Sequence, residues 1–267
     1  LAHKEVLPLA YDFELMAGSG HLEGRLVEHA GLIDSVINGL ASLIEPAAYM
    51  QKYDLPNADS PLLFAMGDGN HSLATAKAIW EELKPHVGSD HPSRYALVEL
   101  VNLHDPSLCF EPIHRVLFDP GEDFLTAMEV YFAEKVSFHP AADMPTLVAE
   151  VVKSTPAVQR FGMIQPDAYT LVELDHPAHD LTAGSLQQFL DLYLKSHPDT
   201  KIDYVHGDET VDDLGRKPGN IGFFLPPISK NSFFRSVIVD GALPRKTFSM
   251  NHAKDKRFYM ECRRIKP

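Results

Sequence analysis

Six consecutive residues, Gly67, Asp68, Gly69, Asn70, His71 and Ser72, combine two glycines with four side chains that accept, donate or carry protons. The apolar run Leu62 to Met66 before them reads as a buried strand. After them Leu73, Ala76, Ile79, Trp80 and Leu83 share one helical face up to Pro85. A glycine-bearing loop from strand to helix presents backbone N–H groups at the positive end of the helix dipole, which suits a phosphate or carboxylate ligand. Gly67 and Gly69 permit close approach, and Asn70 and Ser72 complete an anion cradle. Asp68 could position a metal or act as base, and His71 could donate or transfer a proton. A purely structural account uses the same residues: Asp68 or Asn70 caps the helix, and Gly69 supplies a positive φ. The standard nucleotide fingerprints G-x-x-x-x-G-K-[ST] and G-x-G-x-x-G are absent.

A second group is Glu111-Pro112-Ile113-His114-Arg115. Strand alternation places Glu111 and Arg115 on the face of Ile113 and His114 on the other, with Pro112 a threat to that register. Arg115 could bind phosphate oxygens bidentately, His114 could assist, and Glu111 is a candidate metal ligand. Arg115 equally fits a surface residue paired with Glu111. The third group, Leu243-Pro244-Arg245-Lys246-Thr247, puts Arg245 and Lys246 in a basic loop that either closes over an anion or is a solvated turn. His176, His179 and Asp180 have chelating spacing, but their loop contains Pro177 and no helix to fix geometry. His206, Asp208, Glu209, Asp212 and Asp213 form an acidic run, either a divalent-cation site or a solvated helix start. Ser19 and Ser72 lack a G-x-S-x-G setting, so a serine hydrolase has no support.

The elements that must position these groups read as follows. Gly24 to Leu43 suits a long amphipathic helix, and Pro56 to Pro61 a turn. Tyr95 to Leu103 and Leu108 to Phe118 read as two strands joined at Asp105-Pro106-Ser107, a possible hairpin. Phe124 to Val136 and Met144 to Val152 read as helices. Arg160 to Ile164 and Tyr169 to Leu174 read as strands around a Pro166-Asp167 turn. Ser185 to Leu194 and Asn231 to Val239 are further helices; Ile202 to Val205, Ile221 to Leu225 and Arg257 to Arg263 are further strands. The fold class is therefore α/β (α+β), a mixed sheet with flanking helices. Two regions are expected, 1–118 bearing the glycine loop and 119–267 packing on it, with any division near Asp119 to Asp123. One continuous domain is the alternative.

Length and composition bound the reading. A chain of 267 residues with 45% hydrophobic and 23% charged content folds as one or two globular domains. A formal net charge of -13 argues against a duplex DNA or RNA binder, which needs a broad basic surface. No apolar run reaches the roughly 20 residues that cross a bilayer, and no secretory signal opens the chain. Cys109 and Cys262 match no disulfide framework or C-x-x-C motif, so a reducing, cytoplasmic setting is expected. The chain begins at Leu1, from which an N-terminal portion is expected to be missing.

Taken in order, the motifs resemble those of a bacterial family known as domain of unknown function 1015. Met66 to Ala76 resembles its A-D-G-H-H-R-Y-x-x-A element, and Pro112-Ile113-His114-Arg115 its P-T-H-R strand. Phe223 to Pro227 and Leu243 to Phe248 resemble its F-L-x-P and M-P-x-K-S-T-x-F signatures. The resemblance spans roughly Gly20 to the C-terminus and implies that the family's N-terminal P-P-Y-D-V segment is absent. The D-G-H-H-R element is itself similar to the phosphate-binding motif of ParB-like and sulfiredoxin-like proteins, including free serine kinases. Asp68 and His71 match the motif, whereas Asn70 stands for its first His and Ser72 for its Arg. The resemblance thus implies an enzyme binding a nucleotide or other phosphorylated small molecule, such as a small-molecule kinase with Mg²⁺. Alternatively it implies a non-catalytic metabolite-binding module with an altered loop. The expected partner is an anionic small molecule, with neither nucleic acid nor membrane.

Overall fold

The computed structural model describes residues 7–57, 59, 61–67, 69–241, 243, 246–250 and 261–265. The chain divides into two compact units, 1–102 together with 253–267, and 103–252. The mixed α/β class is as expected from the sequence.

In the first unit, strands β1 (Leu9–Glu14) and β2 (His21–Arg25) pair as an antiparallel hairpin. Three helices follow, α1 (Ala30–Ser42), α2 (Pro46–Tyr53) and α3 (Asn70–Leu83). The long helix expected from Gly24 is thus shorter, because Glu23 to Arg25 belong to the hairpin. The core contains Leu15, Tyr49 and Tyr53, while Val36 and Ile37 on α1 are exposed. Neither expected strand forms here: Leu62 to Met66 and Tyr95 to Asn102 have no regular structure, and Phe64, Leu97 and Val98 are exposed. The reason is pairing. A strand satisfies its backbone groups only against another strand, and in this unit the described strands β1 and β2 pair with each other. Leu62 is anchored instead by Tyr49, whose hydroxyl accepts its N–H at 2.7 Å. The expected strand at Arg257 to Arg263 lies partly outside the described residues, and Glu261 to Arg263 are not in a strand.

The second unit carries a seven-stranded sheet in the order β4-β6-β5-β8-β3-β7, with β9 pairing β3 as well. The strands are β3 (Phe110–Phe118), β4 (Val136–Ala141), β5 (Val158–Gln165), β6 (Ala168–Asp175), β7 (Lys201–His206), β8 (Asn220–Phe224) and β9 (Phe248–Met250). Every described pairing is antiparallel. The β5–β6 hairpin closes at Gln165 opposite Ala168, so Pro166 and Asp167 form its two-residue turn, as their chemistry predicts. The hairpin expected between Tyr95 and Phe118 is replaced: β3 takes β7, β8 and β9, all distant in sequence.

Helices α4 (Phe124–Phe132), α5 (Met144–Val151), α6 (Thr182–Ser196), α7 (Asp208–Gly215) and α8 (Lys230–Asp240) belong to this unit. Alternation along the strands divides the core into two layers. Leu117, Phe161, Met163, Val172 and Phe223 pack with Phe124 and Met128 of α4 and with Leu186, Phe189 and Leu190 of α6. On the other face Val116, Ile164, Leu171 and Phe224 pack with Leu147 and Val151 of α5 and Val211 of α7. Gly215 of α7 lies against Gly222 of β8, where an added Cβ on Gly215 would meet the Gly222 Cα at 2.9 Å.

Candidate functional site

The glycine loop belongs to the first unit. Gly69 adopts a left-handed conformation, φ 78° and ψ 18°, and is the N-cap of α3. Asn70 is therefore the first helical residue and not the cap. The positive φ is the reason for glycine here, since an L side chain at that φ is strained. Gly69 has no side chain to accept from the first turn, so no N-cap oxygen covers the amides of Asn70, His71 and Ser72. The first helical bond runs from the Leu73 N–H to the Gly69 carbonyl at 3.0 Å. Asn70, His71 and Ser72 are exposed. Thr75 donates to the His71 carbonyl at 2.9 Å, holding the first turn closed. The structure thus brings Gly67, Gly69, Asn70, His71 and Ser72 together, while Asp68 lies outside the described residues.

In the second unit three motif segments meet on β3. Pro112 pairs with Phe248 of β9, and the Ile113 N–H donates to the Thr247 carbonyl at 3.4 Å. Arg115 lies opposite Phe223 of β8 and Tyr204 of β7. Pro112 does not break the strand, which runs through it from Phe110 to Phe118. Lys246, next to Thr247, is exposed with φ 60°, an uncommon conformation for a side-chain-bearing residue. Arg245 lies outside the described residues, and Glu111 is half-buried on β3.

His114 and Arg115 point to opposite sheet faces, as alternation requires, and both are buried at 1% and 0% exposure. Arg115 is therefore not the surface strand residue that one reading of the motif allowed. His114 stacks on Phe224 with ring centroids 4.6 Å apart. Its Nδ1 accepts the Leu225 N–H at 3.1 Å, so the neutral ring carries its proton on Nε2, which faces Asp208 Oδ1 at 3.6 Å. Burial pushes the His114 pKa down to about 4, with help from the neighbouring Arg115 and His206. It is a neutral ring at pH 7, fixed by the backbone of the Phe-Leu-Pro-Pro segment.

Arg115 points toward α6. Its Nε donates to Gln187 Oε1 at 3.3 Å, and its Nη1 donates to the Ile113 carbonyl. Its guanidinium carbon sits 5.4 Å from the centre of the Tyr204 ring. Burial lowers its pKa to about 10, opposed by Tyr204 and Asp191, so it stays charged at pH 7. Sequence reading did not single out Tyr204, Gln187 or Asp191. Gln187 carried a usable signal, being a polar residue inside the apolar helical pattern of Leu186, Phe189 and Leu190. Tyr204 had none beyond its place on a short strand.

The remaining candidates separate. His176 Nδ1 contacts the neighbouring Asp175 at 2.7 Å, His179 faces Asp240 at 3.9 Å, and Asp180 pairs with Arg235. Asp208 and Glu209 occupy the first turn of α7, and Asp212 accepts from the Tyr169 hydroxyl at 2.8 Å. Among the described residues no group of three or more His, Cys, Asp or Glu is placed to hold a metal ion. Nor, among them, is any helix long and apolar enough to cross a membrane.

No curated protein matches the chain. A solved structure of a mutant free serine kinase in complex with AMP is similar at a TM-score of 0.41 and 11% identity. The similarity covers 67% of this chain and 80% of that one. So slight a likeness carries no argument about ligand or activity. The family described as "Protein of unknown function (DUF1015)" matches residues 2–193. The match takes in the glycine loop, the β3 motif and most of α6, begins ahead of Gly20, and stops before the Phe-Leu-Pro-Pro and Arg-Lys-Thr segments. With most of its length covered, the chain belongs to this family of unknown function.

Proposed function

We propose that the protein is an enzyme acting on a nucleotide or other phosphorylated small molecule, with the Gly67–Ser72 loop and the start of α3 as its anion-binding element. The observation that supports this reading is the cap. Gly69 opens α3 without a side-chain acceptor, so no N-cap side chain covers the first-turn amides beside the exposed His71. These amides, with the side chains of Asn70 and Ser72, hold phosphoryl oxygens. His71 or Asp68 then moves the proton of the attacking or departing group. Were the reaction phosphoryl transfer, Asp68 would be the loop's carboxylate for a phosphate-bound Mg²⁺, which would supply charge neutralisation at the phosphates. His114, Arg115, Glu111 and Lys246 belong to the other unit and are not assigned to this loop.

A second reading is favoured by one observation, the replacement of the family motif's His and Arg by Asn70 and Ser72. Without that Arg the loop loses its bidentate phosphate donor. The protein is then a metabolite-binding module without catalysis.

Titration calorimetry with AMP, ATP and inorganic phosphate, with and without Mg²⁺, tests both. The enzyme reading expects one binding event that His71→Ala removes while the circular dichroism spectrum is unchanged, together with turnover of the bound nucleotide. Binding without turnover, converted to turnover by Asn70→His with Ser72→Arg, is the result of the module reading. Binding unaffected by His71→Ala defeats the site assignment.

A further inference from the structure

Arg115 carries a permanent charge at 0% exposure, and among the described residues no carboxylate is within ion-pair distance of it. A buried cation without a counter-ion costs several kcal/mol of desolvation that hydrogen bonds only partly offset. Counting its donors locates the deficit. Nε is met by Gln187 at a long 3.3 Å and Nη1 by the Ile113 carbonyl, while Nη2 has no partner. Directly across the strand pair, the Tyr204 hydroxyl is also buried and without a partner. Two neighbouring donors therefore lack an acceptor on the α6 face of the sheet. The Tyr204 ring face offsets part of the charge but supplies no hydrogen bond.

The surface is one side chain away. Gln187 Nε2 donates to Asp191 Oδ1 at 2.9 Å, one turn along α6, and Asp191 is exposed. Gln187 thus joins the buried guanidinium to a solvent-facing carboxylate, and rotation of its amide away from Arg115 would release Nε. Tyr204 lies on β7, which ends the order of the sheet.

We infer that Arg115 and Tyr204 form an occluded oxyanion-binding site in the second unit, closed by Gln187. The group it takes has at least two acceptor oxygens and no donor: a carboxylate, or the phosphate of a monoester. A guanidinium fork matches either bidentately, and the phenol adds a third donor. This site is independent of the Gly67–Ser72 reading, since it is built from other residues in the other unit.

The test follows the Arg115 Nε–Hε resonance, identified by its loss in Arg115→Met, while the full chain is titrated with inorganic phosphate and separately with acetate. Sodium chloride at matched ionic strength is the control. The proposal expects a saturable shift with phosphate, acetate or both that chloride does not give. Phosphate alone points to a phosphoryl group as the ligand, and acetate alone to a carboxylate. Tyr204→Phe removes one hydroxyl, keeps the ring over the guanidinium, and is expected to weaken the apparent Kd about tenfold. His71→Ala is expected to leave it unchanged, which separates this site from the loop. The proposal is overturned if neither phosphate nor acetate shifts the resonance, if it responds to chloride and oxyanions alike, or if Tyr204→Phe leaves the affinity unaltered.

Discussion

Replacing His114 by Gln should flatten the acid side of the protein's stability profile. In the folded chain the ring is buried, faces Asp208, and has its pKa lowered from 6.5 to about 4. As pH falls below 6.5 the unfolded chain takes up a proton that the native ring refuses, so native stability is lost on acidification. The contribution is fully present above the unfolded value and runs out as pH passes through about 4. At about 1.4 kcal/mol per pH step, the loss reaches about 2 kcal/mol by roughly pH 5 and about 3 kcal/mol at its limit. Gln does not titrate and keeps an acceptor for the Leu225 N–H that His114 Nδ1 now receives. Urea unfolding at intervals from about pH 7.5 to pH 5, followed by far-ultraviolet circular dichroism, measures the difference. Circular dichroism is preferred because Trp80, the single tryptophan, is in the first unit and His114 in the second. Other groups titrate alike in both proteins and cancel in the subtraction. Parallel profiles for wild type and His114→Gln would refute the argument, because His114 would then titrate normally in the folded state.

Three further substitutions probe the scaffold, the first two by the same unfolding measurement. Gly222→Ala should cost about 1–3 kcal/mol, because its Cβ would meet the Val211 carbonyl at 2.9 Å where α7 lies on β8; an unchanged midpoint would show that α7 can move away. Asp143→Ala removes the N-cap of α5, whose carboxylate accepts the Thr146 N–H at 2.8 Å, and should cost about 1 kcal/mol. Tyr49→Phe deletes the hydroxyl that receives the Leu62 N–H, and should speed amide exchange at Leu62 without altering exchange in the second unit.

Much of the second unit was legible because its signals are local. The 3.6-residue spacing of Met144 to Val152 and Ser185 to Leu194, and the turn at Pro166-Asp167, specify α5, α6 and the β5–β6 hairpin within a residue or two or three. Alternation in Glu111 to Arg115 correctly put His114 and Arg115 on opposite faces. The loop's strand was misjudged for the opposite reason. Leu62 to Met66 has strand composition, but composition supplies no partner for its backbone, and the described first unit offers none.

Sequence alone determined the family motifs, their order, the α/β class and the positive φ at Gly69, since each depends on neighbours within a few positions. The tertiary structure alone decided that β3 gathers β7, β8 and β9 around it, that Leu225 fixes the His114 tautomer, and that Arg115 is buried beside Tyr204 with no carboxylate in ion-pair range among the described residues. Those outcomes depend on pairings separated by roughly 80 to 140 residues. Burial and hydrogen bonding are properties of which segments meet, and no local pattern of residue types encodes them.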